Sequence, residues 1–518
     1  MIAFALMAVL AAGMATACVC PDDGAVSDTA VSDTAVVEAT HARQMEARVV
    51  NENDGKLLNE ITKLDLFFDR ISDEEIMSLQ YMTNLTQLTI YEYEPRDLTP
   101  LYGLKNLKYL TVWCREANDL SPLAGLTGLT DLSVWGSYYL PESQVSDISP
   151  LANLINLEEL HIFNNYQISD ISPLAGMKKL THLRLGGPIS DLTPLTDLTK
   201  LEHLELQGCQ FSDLTPLAGL TKLTKLDLSS DQIRDLAPLA GLADLTKLWL
   251  WGDQISGLAP LAGLAGLTEL WLCGGQISDI TPLAGLTNLT ELSLHSEQTI
   301  DVTPLAGLTN LFELNLSSTK VTDLTPLFSL TNLDRLYLLN SQISDLKLLH
   351  GLTNLKSLDL TGNQISNLKP LSNLTNLEGL GLDDNQISDL RPLSKLSNLG
   401  WLSLDSNQIR DLRPLSKLTN LYELSLGDNR ISDLRPLSKL TDVEVLYLYG
   451  NQISDLKPLS KLTSLRQLYL GNNQISDITP LYPLTNLHQL KLEGNNLTKK
   501  QIDELKDNLP HCEISWEE

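Results

Sequence analysis

Residues 399–420 read LGWLSLDSNQIRDLRPLSKLTN, and residues 421–442 read LYELSLGDNRISDLRPLSKLTD. The second string is the first with a few letters changed. Aligned on the first leucine, further copies open at Leu85, Leu107, Leu129, Leu157, Leu180 and Leu201, then every 22 residues through Val443 and Leu465 to Leu487. A degenerate copy opens at Ile61, and YYLPES (Tyr138 to Ser143) is an inserted loop. About nineteen copies at one period are the signature of a solenoid, in which each unit buries its apolar face only against its neighbours.

One copy predicts its own local structure. Leu399, Leu402 and Leu404 open it with the alternation of a short strand that is buried on one face. Asn407 stands where the chain leaves the strand, and its side-chain amide can satisfy turn backbone. Asp411-Leu-Arg-Pro-Leu415 then supplies an aspartate cap and a proline, which suits one tight helical turn. Leu402, Leu404, Ile409, Leu412, Leu415 and Leu418 are the expected core. Strands about 4.8 Å apart would stack into an arc on the order of 90 Å long.

The phrase NQISDLxPLxxLTNLxxLxL resembles the leucine-rich repeat in its 22-residue bacterial form, as in internalins and in the phosphatase-regulating SDS22 proteins. The resemblance covers roughly residues 60–515. It implies an α/β leucine-rich repeat solenoid: a curved right-handed arc with a parallel sheet on the concave face and short helical turns on the convex side. It also implies that the concave face binds a protein and that the chain is a scaffold, not an enzyme. Ser72–Glu75 and Thr498–Gln501 have capping-box spacing before amphipathic runs, so helical caps are expected at both ends. LPHCEISW then reads as a last edge strand. The expected organisation is a signal segment 1–18, a low-complexity tether 19–50, an N-terminal cap and degenerate repeat 51–84, repeats 85–495, and a C-terminal helical cap and edge strand 496–518.

The segment MIAFALMAVLAAGMATACVC is apolar and ends on small residues before Cys18, the form of an export signal. Ala-Thr-Ala-Cys18 resembles a bacterial lipobox, although Ala15 stands where leucine is usual and no Lys or Arg precedes the apolar run. Lipidation at Cys18 is the adopted reading, beside cleaved secretion and an uncleaved anchor. The chain is thus expected to be exported to the cell envelope, to meet a membrane only through that lipid, and to be a monomer. It ends CEISWEE, so wall attachment through a sorting motif is not expected. An intracellular SDS22-like regulatory scaffold is the alternative, and a glycan-binding adhesin is another.

The formal charge of −28 argues against nucleic acid, which is bound by neutralising phosphates. Asp213, Asp235, Asp279, Asp323, Asp389, Asp411, Asp433, Asp455 and Asp477 recur at one position and are expected as turn caps rather than calcium ligands. Cys114, Cys209 and Cys273 lie in separate repeats, too far apart to pair, and Cys209 takes the asparagine position of its repeat. The chain lacks phosphate-loop, HExxH and GxSxG motifs, so no catalytic residue and no cofactor is expected. His161, His182 and His203 fall in consecutive repeats near Glu159 and Glu205. They could hold zinc, but the adopted reading is a polar binding surface, with no metal.

The varied letters lie at the second, fourth and sixth residues after each opening leucine. Six of the seven tryptophans stand there: Trp113, Trp135, Trp249, Trp251, Trp271 and Trp401. Tyr91, Tyr109, Phe163, Tyr337, Tyr447, Tyr449 and Tyr469 join them. Exposed aromatic clusters mark binding surfaces. These thirteen residues are the candidate protein-binding site, in three patches at 91–163, 249–271 and 447–469, with Trp249, Trp251 and Trp271 as one central patch. The asparagine column is intact from Asn363 to Asn495, whereas earlier repeats carry Asp231, Asp253, Gly275, Glu297, Thr319 and Ser341. The C-terminal half is therefore expected to be the more stable one.

Overall fold

The computed structural model describes residues 60–517 apart from 67–75, 91–96, 115–117, 137–144, 165 and 322. The signal segment with Cys18, the tether, Ser72–Glu75, Tyr91 and the inserted loop lie outside the described residues.

Among the described residues, 21 strands form one parallel sheet. Each repeat pairs with the next in register: Leu402 lies opposite Leu380 on one side and Leu424 on the other. A one-residue slip would move this leucine column to solvent. Instead Leu402, Leu404, Ile409, Leu412, Leu415 and Leu418 are at most 1% exposed, whereas Trp401 stays partly exposed on the other face. Every repeat adds its leucines to one continuous core.

The turns opposite the sheet are 3-10 helices such as Arg391–Lys395, with proline in the first turn. All nine aspartates of the recurring column accept the first backbone N–H of such a turn through Oδ1, at 2.8–3.0 Å. Arg391, Arg413 and Arg435 fold back onto their own Asp389, Asp411 and Asp433 at 2.7–2.8 Å, so these exposed charges pair locally.

The asparagine column is a buried ladder. Asn407 donates to the carbonyls of Leu382, Leu404 and Asp405 at 2.9–3.2 Å and accepts the Ile387 N–H through Oδ1 at 2.9 Å. Thr319 and Ser341 hold the same position with hydroxyls, donating to the carbonyls of Leu294 and Leu316 at 2.9 and 3.0 Å. The expectation for Asp231, Asp253, Gly275 and Glu297 needs correction. The residue before each of them, Ser230, Gly252, Gly274 or Ser296, takes the inward position, and Asp231, Asp253 and Glu297 point to solvent.

The cause is the backbone. In the C-terminal repeats the residue before the asparagine has positive φ, as in Asp384 (50°), Ser406 (53°) and Asp428 (48°), which turns the next side chain inward. In the four earlier repeats no such residue has positive φ, and the strands run to five or six residues, as in Lys225–Ser230 and Glu269–Cys273, against three in Trp401–Ser403. Ser230 and Ser296 donate instead to the carbonyls of Phe211 and Ile277 at 2.7 and 2.6 Å.

The C-terminal cap is the helix Lys499–Asn508, entered through a full capping box between Thr498 and Gln501. Its Ile502 and Leu505 are buried against the last repeat, and the strand Glu513–Ser515 closes the sheet beside Gln489–Lys491. No helix among the described residues is long and apolar enough to cross a membrane.

Candidate protein-binding face

Parallel, in-register strands place residues of one column about 4.8 Å apart, close to the stacking distance of aromatic rings. Trp113, Trp135 and Phe163 are direct register partners. Their rings stack, with centroids 5.6 and 3.9 Å apart, and the Arg184 guanidinium lies 4.5 Å over Phe163. Tyr109 begins the Trp113 strand and is 49% exposed. Trp249 stacks on Trp271 at 4.8 Å, with the Lys225 ammonium 4.5 Å over the Trp249 ring. Tyr447 stacks on Tyr469 at 4.4 Å.

The remaining aromatics stand apart from these stacks. Trp251 lies opposite Ser229 and Cys273, so the expected central group resolves into a stacked pair and a neighbour one column away. Tyr337 lies between Asn315 and Asp359, and Trp401 between Gly379 and Glu423. Tyr449 donates its hydroxyl to Asp405 at 2.7 Å.

The stacks alternate with polar side chains that are mostly paired. Arg184 binds Glu205 at 2.8 Å, Arg335 binds Glu313 at 3.0 Å, and Lys247 pairs with Glu269. His182 lies opposite His203 with the rings edge-on, 4.2 Å apart, while His161 lies opposite Arg184 with Nε2 3.6 Å from Glu159. Burial holds His161 and His203 below the usual histidine range. The structure thus brings His182 and His203 together and leaves His161 in the neighbouring column; no group of three metal-ligating side chains converges among the described residues.

Two features escaped the sequence reading. Asp227 stands in the same column as Trp249 yet is 4% exposed, and burial, with Glu205 adding its charge, pushes its carboxyl up to about 7. Its column alone could have flagged it. A second asparagine ladder runs along the flank: in the LTNL phrase Asn288, Asn310, Asn332 and Asn354 each donate to a carbonyl 23 residues back, at 2.8–2.9 Å. Its signal was the Asn recurring in that phrase.

Comparison with known proteins bears on this face. Residues 155–197, 199–241, 331–373, 353–395, 397–439, 441–483 and 463–507 match the family described as Leucine Rich repeats (2 copies). No curated protein matches in sequence. Among solved structures, a leucine-rich repeat protein of Leptospira interrogans is 25% identical, over 78% of this chain and 100% of that one, with a TM-score of 0.56. Internalin C2 of Listeria monocytogenes is 38% identical over 37% of this chain and 83% of its own, with a TM-score of 0.34. The ectodomain of the Arabidopsis thaliana receptor kinase GASSHO1/SCHENGEN3 shares the fold at 20% identity, over 86% of this chain and 56% of that one, with a TM-score of 0.56. Such repeats are typically scaffolds for protein–protein contacts and not enzymes. The matched segments cover half of the chain and carry the same leucine ladder as the rest of the sheet, and on that ground the chain belongs to the leucine-rich repeat family.

Proposed function

We propose that this chain is a non-enzymatic scaffold, exported and held at the cell envelope by a lipid on Cys18, that recognises a protein partner through the aromatic residues of its concave face. The observation that carries the binding reading is the set of stacked aromatics on the side of the sheet away from the core. Folding does not need them there: the same columns hold Ser293, Gly381 and Ser403 in other repeats with equally buried leucines. Large aromatics at partly exposed positions supply the anchors typical of protein interfaces.

Their mutual stacking also favours a protein over a sugar. A sugar ring packs on a free aromatic face, but inside a stack the faces are covered by neighbours, so a partner meets ring edges and the polar side chains between stacks. The chain's acidity favours steering towards basic partners. Export rests on the apolar run before Cys18.

Replacing Trp249, Trp251 and Trp271 together by Ala should weaken partner binding at least about a hundredfold and barely change folding. Replacing Lys395, Lys417 and Lys439, the last residues of three convex turns, should leave affinity nearly intact. The opposite pattern would place the binding site on the convex side. A fatty-acid probe should label the wild type and not Cys18→Ser, and equal labelling of both would remove the lipid anchor.

A further inference from the structure

The stacked pair of Trp249 and Trp271 has four ring faces, and three of them are covered. The two inner faces meet each other with centroids 4.8 Å apart, and the outer face of Trp249 carries the Lys225 ammonium at 4.5 Å. The centroid spacing matches the strand spacing, so the rings stack along the sheet and the outer face of Trp271 looks to the next repeat. Its register partner there is Ser293, whose short side chain leaves the place of a third ring unfilled. Among the described residues no ring and no cation lies against that face.

Two other stack ends are closed by cations of the chain itself. Arg184 caps Phe163 and Lys225 caps Trp249, each at 4.5 Å. Both stand at the same place relative to the ring: Arg184 faces His161, two residues before Phe163, and Lys225 faces Lys247, two residues before Trp249. At the outer face of Trp271 that place holds Glu291, which faces Glu269. An anion there meets the negative face of the indole. Glu291 also lacks a counter-charge. Its column neighbours Glu269 and Glu313 pair with Lys247 and Arg335, whereas Glu291 forms no hydrogen bond or ion pair among the described residues. Burial, with Glu269 and Glu313 adding their charges, pushes its carboxyl up. The Tyr447 stack likewise ends at a serine, Ser425, with Glu423 two residues before it, but Glu423 already accepts from the Trp401 indole.

We infer that the slot between Trp271 and Glu291 receives an arginine side chain of the partner polypeptide, its guanidinium flat on the indole and its N–H groups donating to the carboxylate. The inference rests on the protein-binding reading of the concave face and adds a chemical group on the partner. A cation over an indole is attracted by the ring quadrupole, and a guanidinium adds planar stacking and paired donors for a carboxylate. Arg184 performs this double task inside the chain, lying over Phe163 and donating to Glu205 at 2.8 Å. A neutral sugar could cover the ring but would leave Glu291 more buried and still without a counter-charge.

The test uses the full chain labelled with 15N-tryptophan, with the Trp271 indole signal assigned through Trp271→Phe. The probes are acetyl-Gly-Arg-Gly-amide, its citrulline and lysine analogues, and methyl β-glucoside. The arginine peptide should move the Trp271 signal saturably, and the citrulline peptide, equal in shape but neutral, should bind about tenfold or more weakly. Glu291→Gln should weaken the arginine peptide by a similar factor and leave the citrulline peptide unchanged, which a general loss of structure would not do. Glutamine stands in this column at Gln467 and Gln489, so that variant should fold. Equal affinity for arginine and citrulline, an arginine affinity untouched by Glu291→Gln, or a signal that ignores the peptides overturns the inference. A lysine peptide that binds as tightly as the arginine one also overturns it, by reducing the slot to a site for charge alone. A signal that follows only the glucoside overturns it by making Trp271 a sugar platform. All but this last result leave the wider protein-binding reading standing, because that reading is tested on the partner itself with the tryptophan and lysine triples.

Discussion

Tyr449 reaches across a whole repeat to Asp405: its hydroxyl donates to Oδ2 at 2.7 Å, and its ring passes over Gly427, where a Cβ would run into it. The other oxygen of Asp405 accepts from Ser425 at 2.5 Å and from the Gly427 N–H at 2.6 Å. One carboxylate thus ties three successive repeats on the concave face. Gly427→Ala should dislodge the ring and cost about 1–2 kcal/mol, and Tyr449→Phe about 1 kcal/mol. The alanine should cost less when Tyr449 is already Phe. Urea unfolding of the double-mutant cycle measures this, and strict additivity would show that the alanine leaves the Tyr449–Asp405 hydrogen bond undisturbed.

Asn407 and Asn398 test two ladders that look alike in sequence. Asn407 is 8% exposed and serves three carbonyls and the Ile387 N–H. Asn398 is exposed and donates to the Thr375 carbonyl at 3.0 Å. Asn407→Ala strands several buried groups and should cost about 3 kcal/mol or more, while Asn398→Ala should cost about 0.5–1 kcal/mol. Equal losses in chemical denaturation would contradict the inner ladder's role.

Hydrogen exchange should divide the chain where the inner ladder changes. The N–H groups of Ile365, Ile387 and Ile409 donate to buried asparagine oxygens of the next repeat at 2.8–2.9 Å. Those of Ile233, Ile255 and Ile277 donate to carbonyls of their own turns at 3.0–3.2 Å. The first group should exchange more slowly, because opening one turn does not free it. Uniform rates along the chain would speak against this.

Asp227 makes stability depend on pH in an unusual direction. Its folded-state value of about 7 lies above the ordinary aspartate value near 3.9. Folding therefore favours the protonated form. The contribution is fully present below about pH 4 and is lost as pH rises towards 7. Asp227→Asn should stabilise the chain by about 2–4 kcal/mol near pH 8 and change little near pH 4. Melting temperatures of both proteins across that range decide it, and a pH-independent difference would show that the carboxyl titrates normally.

The sheet, its register and the buried leucines were legible because one alternation recurs at a constant period, and a shift by one residue would expose every leucine at once. The C-terminal cap was legible for a local reason, the Thr498–Gln501 spacing. The inward turn at Ser230, Gly252, Gly274 and Ser296 was not. The period stays at 22 there, and what changes is the sign of a single φ. The aromatic columns could be read from spacing, and which rings touch follows the register of neighbouring repeats: Trp249 meets Trp271, whereas Trp251 faces Ser229 and Cys273, which carry no ring. The raised value of the Asp227 carboxyl depends on where Gln207, Lys225 and Glu205 settle, which no single column records.

The inner asparagine ladder has a direction. The Ile387 N–H finds its acceptor on Asn407, in the following repeat, and Ile409 finds its own on Asn429. A ribosome makes Ile387 before Asn407. Each repeat in this part of the chain therefore leaves the ribosome unfinished and is completed by its successor, so a growing chain always ends in one incomplete turn. The cap helix ends that succession: Gln501 reaches back to the Ser476 carbonyl at 2.6 Å, and the last unit needs no further repeat to complete it.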